Sequence, residues 1–85
     1  MSELAAQISL YPLAQDDLSP VIDEVLAILD GYDLRMEVGA MSTLLHGADD
    51  VLFAALLEAT RAACRSGRMV MVATISNACA VPDRA

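Results

Sequence analysis

Positive charge is scarce in this sequence: five basic residues stand against twelve acidic ones, for a formal net charge of −7 at pH 7. Nucleic-acid binding needs a basic footprint on the phosphates, so this balance argues against it. Aromatics are few, with one Phe and two Tyr. A sheet that stacks bases is therefore disfavoured, and Phe53 is expected in the core. The two cysteines, Cys64 and Cys79, form no C-x-x-C pair, which leaves a zinc site, a redox pair and an iron–sulfur cluster without ligands. Both are read as free thiols. No apolar run reaches the roughly 18 residues of a membrane helix, and the start MSELAAQISLY has Glu3 where a secretory signal would be positive. A soluble, cytoplasmic protein is the expectation. The surplus acid suits exposed helix faces and would attract a small cation weakly.

Hydrophobic residues, by contrast, make up 56% of the chain, and its mean hydropathy is +0.51. The length, 85 residues, fits one domain over 1–85. Such a domain has more apolar surface than one small core can hide, so a homodimer or homotetramer is expected.

The patterning gives six elements. QISLYP alternates Ile8 and Leu10 with Gln7, Ser9 and Tyr11, which predicts a strand over about Ala5 to Tyr11 that stops at Pro12. Ser19 as cap and Pro20 at the first helical position begin a helix with Val21, Val25, Ile28 and Leu29 on its inner face and Ile22 and Leu26 beside them. Gly31 supplies its stop. Leu34, Met36 and Val38 alternate with Arg35 and Glu37 in a second strand, and STLLHG makes a third after a turn at Gly39, Ala40 and Met41. The second helix begins at Asp49 or Asp50, has Arg61, Arg65 and Arg68 toward or past its end, and stops at Gly67. Its apolar stripe is read as Leu52, Phe53, Leu56, Leu57, Thr60, Ala63 and Cys64, which would bury Cys64. RMVMVATISNA is the fourth strand.

The order βαββαβ, with right-handed crossovers, reduces to a ferredoxin-like α+β sandwich with two helices on one face of a four-stranded antiparallel sheet. If Ile8 and Leu10 pack under the helices, Gln7, Ser9 and Tyr11 line the open face, joined there by Thr74 and Ser76 with Val70 and Val72 on the last strand. Such a band suits a second subunit, with hydroxyls lining a pocket in or beside the interface.

Little here points to catalysis. His46 is the sole histidine. Ser9 or Ser42 could approach it in principle, but a surface or pocket-lining role is the stronger reading. The loop LAQDD is acidic where a phosphate cradle would be cationic, and no carboxylate pair falls on the open face. Uncharged hydroxyls with a Tyr suit the edge of a planar neutral heteroaromatic ring, whose face Met41 could cover.

The segments QISLYPLAQDD, MSTLLHG and VMVATISNACAVPD, in this order and spacing over about Ala6 to Asp83, resemble the YkoF-like thiamin and hydroxymethylpyrimidine binding family. The resemblance rests on S-L-Y-P, on Thr43-x-x-x-Gly47, and on Ser76-x-x-Cys79. Ala80 and Val81 stand before Pro82 where such relatives often have Pro directly after the Cys. The resemblance implies a non-enzymatic ferredoxin-like domain that binds thiamin or hydroxymethylpyrimidine without a cofactor. Ser9, Tyr11, Met41, Ser42, Thr43, Thr74, Ser76 and Asn77 are its candidate ligand residues. Some relatives carry two such domains, so a homo-oligomer would supply the pairing here. A purely structural or regulatory assembly domain and an amino-acid-sensing domain are the alternatives.

Overall fold

A computed structural model describes residues 2–78. Cys79, part of the Ser76-x-x-Cys79 motif and one of the two expected thiols, lies outside them. The elements are β1 (Glu3–Pro12), α1 (Ser19–Asp30), β2 (Arg35–Val38), β3 (Thr43–Ala48), α2 (Asp49–Ser66) and β4 (Met69–Ser76). The sheet runs β2-β3-β1-β4, antiparallel throughout, and the architecture is the ferredoxin-like sandwich expected from the element order.

The first strand is longer than its alternation suggested, because Glu3 and Leu4 still pair with Ala48 and Gly47 of β3. At α1 the capping differs from the expectation. Ser19 lies within the helix after Leu18, and it is the Asp17 carboxylate that accepts its backbone N–H, at 3.1 Å. Gly31 follows α1 in an ordinary right-handed conformation, whereas Gly67 ends α2 at φ 138°, where an L side chain would be strained. Asp49 and Asp50 occupy the first turn of α2 and accept its N–H groups, as their place at the positive end of the helix dipole favours.

The core joins Val21, Val25 and Leu29 of α1 to Leu52, Ala55, Ala59 and Ala63 of α2, over Ala6, Ile8 and Leu45 of the sheet. The inner face of α2 is thus largely alanine, and small side chains let it sit close to α1. This corrects the stripe read from the sequence. Phe53 is 50% exposed and Leu57 52%, not core, and Cys64 is an exposed free thiol. Among the described residues no helix is long and apolar enough to cross a membrane.

Candidate ligand-binding site

Register decides which face each side chain occupies, since directly paired residues point the same way. Gln7, Ser9 and Tyr11 oppose Thr74, Val72 and Val70, and Ala5 opposes Ser76. The hydroxyl and apolar band of β1 and β4 therefore exists on the open face. Thr43 is not in it. Its partners are Ile8 and Val38, which place it on the helix side. The candidate residues separate into two groups, with Tyr11, Thr74 and Ser76 on the open sheet and Thr43 beneath the helices. Asn77 follows β4 as an exposed residue, and the Ser76 hydroxyl accepts the Ala78 N–H at 2.9 Å.

The second group borders a real cavity. β3 pairs with β1 only as far as Ile8, whereas β4 continues to Pro12, so beyond Ile8 the β3-facing edge of β1 has no strand partner. The turn between β2 and β3 closes over this gap. Gly39 donates its N–H to the Ser42 carbonyl at 2.8 Å, the Ser9 hydroxyl donates to the Met41 carbonyl at 3.3 Å, and the Gln7 amide donates to the Ser42 hydroxyl at 3.1 Å. Between the turn, β1 and α1 lies a cavity of about 160 Å³. Ile22, Val25, Leu26 and Leu29 of α1 form its apolar wall, while Ser9, Ser42 and Thr43 are its hydroxyl-bearing residues. Met41, 81% exposed, stands at its rim. On the other side of the same turn a shallow hollow is lined by Gln7, Glu37 and Leu44, and it shares Val38, Gly39 and Ser42 with the cavity.

An apolar cavity of about 150 Å³ accommodates one benzene-sized ring. The space under α1 thus matches a single six-membered ring, with the Thr43 hydroxyl and an unpaired strand edge beside its polar atoms, while the Ser9 and Ser42 hydroxyls are engaged at the turn. Ser9, Met41, Ser42 and Thr43 meet here. The contribution of α1 was missed in the sequence, where Ile22, Val25, Leu26 and Leu29 read simply as helix packing; the pattern carries no signal that the turn leaves part of that face uncovered.

His46 sits apart. It is 8% exposed, on the open face beside Ala5 and Arg35, in a hollow also lined by Glu3 and Asp33. Ser42 lies four residues away, just before β3, and Ser9 four residues beyond Ala5 on β1. At roughly 3.4 Å per residue each is about 14 Å distant or more, too far for His46 to take a proton from either hydroxyl. Among the described residues no cluster of three or more His, Cys, Asp or Glu could hold a metal.

A family model described as thiamine-binding protein matches residues 6–78. Among solved structures, a hypothetical protein from Methanocaldococcus jannascii is 28% identical with a TM-score of 0.82, over 89% of this chain and 80% of that one. A Streptococcus pneumoniae protein is 29% identical with a TM-score of 0.81, over 87% and 84%. A Thermotoga maritima protein provisionally described as acting in thiamine biosynthesis or salvage has a TM-score of 0.77 over 86% and 81%; at 23% identity that likeness concerns the fold. Comparison with curated proteins returns no match.

Proposed function

The chain belongs to the thiamine-binding protein family, and from that premise we propose that it is a non-enzymatic, cytoplasmic, homo-oligomeric single domain that binds thiamin or its hydroxymethylpyrimidine moiety, with no cofactor, in the cavity under α1. The observation that carries the reading is the match between one ring and a space of about 160 Å³ whose apolar wall is broken by Ser9, Ser42 and Thr43. The aminopyrimidine would lie flat against Leu26 and Leu29 and turn its polar edge to the Thr43 hydroxyl and the free edge of β1. Met41 would cover its outer side. The thiazolium of thiamin does not fit the same space and would extend past the turn toward the hollow where Glu37 is the one charged lining residue. The band of Tyr11, Thr74 and Ser76 then serves contact between subunits more than the ligand.

Thermal denaturation tests this. A ligand at 100 times its dissociation constant stabilises by about 2.7 kcal/mol, which raises Tm by about 10 to 20 °C in a domain of this size. Thiamin and hydroxymethylpyrimidine should both do so, and an unrelated organic cation should not. If neither ligand moves Tm, the structural or regulatory assembly reading replaces this one. A response to amino acids alone would favour the sensing domain.

A further inference from the structure

We infer that the backbone of Leu10 selects the ligand: its N–H and C=O choose, among single-ring heterocycles, those with an amidine edge, a ring nitrogen beside an exocyclic amino group. This rests on the cavity reading above and names the group that makes the choice. In an antiparallel ladder the N–H and C=O of one residue point to the same neighbouring strand, and those of the next residue to the other. Three bonds agree on which residues of β1 address which neighbour. The Leu13 N–H donates to the Arg68 carbonyl at 3.0 Å, in the register that joins β1 to β4. The Ser2 carbonyl accepts the Asp49 N–H at 2.8 Å, in the register that joins β1 to β3. At the hairpin the Ser42 carbonyl accepts the Gly39 N–H and so points to β2, which turns the Thr43 backbone toward Ile8. Odd-numbered residues of β1 therefore address β4, and even-numbered ones β3.

Among the even residues, Ile8 is the last with a partner on β3, and Pro12 has no N–H. Leu10 is left. Its N–H and C=O open side by side on the gap beneath the β2–β3 turn, and among the described residues nothing bonds to either. Leu10 also lines the cavity. It offers the donor and acceptor that a strand residue exchanges with its mate, and an amidine edge is their complement. The ring nitrogen accepts from the Leu10 N–H while the amino group donates to the Leu10 carbonyl, so the ring takes the place that one more backbone pair of β3 would fill. The second hydrogen of the amino group is left for the Thr43 hydroxyl. A ring that lacks either group leaves one side of the Leu10 pair unmet beside Leu26 and Leu29, which weakens binding. Fused bicycles with the same edge are excluded by size, since about 160 Å³ holds one ring.

Amide hydrogen exchange on the full chain, read by NMR with and without hydroxymethylpyrimidine, tests this. In the free protein the Leu10 N–H should exchange about tenfold or more faster than those of Ile8 and Tyr11, which have strand partners, and saturating ligand should slow it by a similar factor. Two analogues read the chemistry. The pyridine with CH in place of that ring nitrogen, and the pyrimidine with hydrogen in place of the amino group, should each bind about five- to a hundred-fold more weakly. Leu10→Pro lacks the N–H and, at this unpaired position, removes no ladder bond. In it hydroxymethylpyrimidine and the pyridine should bind alike, whereas Leu10→Val should keep their difference. Exchange and the analogues use the wild type, so they decide the matter even if Leu10→Pro does not fold. Hydroxymethylpyrimidine that binds without protecting the Leu10 amide, or analogues that bind as tightly as it does, overturn the role of Leu10 and leave the cavity reading standing. A wild type that does not bind hydroxymethylpyrimidine overturns both.

Discussion

Thr43 is where the cavity reading is most exposed to failure. Its side chain points to the helix side between Ile8 and Val38 and lines the space beneath α1. Among the described residues its hydroxyl has no hydrogen-bond partner. Thr43→Val nearly conserves shape and favours a strand, so the free protein should melt within a few degrees of the wild type. In the complex the balance differs. A ring nitrogen or amino group that meets this hydroxyl among Val25, Leu26 and Leu29 has no water to turn to once the hydroxyl is gone. An unsatisfied polar group in such a place costs about 1 to 3 kcal/mol, or about five- to a hundred-fold in dissociation constant.

Calorimetric titration of wild type and Thr43→Val with hydroxymethylpyrimidine reads this directly. Ser76→Ala is the counterpart, because Ser76 lies on the opposite face of the sheet and, among the described residues, bonds only locally to Ala78. The cavity reading requires a loss at Thr43 and none at Ser76. The reverse pattern, with both variants folded, would refute it and return the ligand to the open sheet face.

Glu37→Gln should weaken thiamin slightly and in a salt-dependent way while sparing the neutral pyrimidine, since an exposed charge offers a thiazolium only screened attraction; titration at two ionic strengths checks it. Leu45→Ala removes a fully buried side chain at the centre of the core and should cost about 2 to 5 kcal/mol in denaturant unfolding. Ala14 has φ 57°, a left-handed conformation in the loop after β1, so Ala14→Gly should stabilise by up to about 1 kcal/mol, seen as a small rise in Tm. The Tyr32 hydroxyl donates to the Glu58 carboxylate at 2.5 Å, and this bond, with burial and the carboxylate charge behind it, raises the phenol above its ordinary value of 10.0. Because the folded state holds this proton more tightly, the stabilisation is complete below pH 10 and is lost as pH climbs through the raised value. Phenolate absorbance should show a late-titrating tyrosine that Tyr32→Phe removes, and stability at neutral pH should fall in that variant.

The fold was legible because its signals are local and agree with one another. Pro20 at the head of one helix, the paired aspartates at the head of the other, Gly67 at its end, the plain alternation of β1 and the uncharged apolar run of β4 each fix an element within its own segment. Where a property depended on two segments meeting, legibility failed at identifiable residues. The inner face of α2 was misread because hydrophobicity ranks Phe53 and Leu57 above Ala55 and Ala59, whereas close helix packing selects for smallness. Thr43 was grouped with Ser9, Tyr11 and Ser76 as a ligand residue, but its side is set by pairing with Ile8, and a one-residue change in where β3 begins reverses every side chain.

The same dependence on register makes the cavity. If β3 began two residues earlier, Met41 would pair with Leu10, the gap beside β1 would close, and the row from Val21 to Leu29 would meet continuous sheet. The β2–β3 turn ends pairing at Ile8 instead, and Ser9 and Gln7 fasten it there through the Met41 carbonyl and the Ser42 hydroxyl. Ser9 is therefore a support for the opening as well as one of its lining residues. Ser9→Ala should loosen the turn and weaken every ring-shaped ligand together, whereas Thr43→Val should penalise only those with a polar edge. The two variants separate the shape of the space from its chemistry.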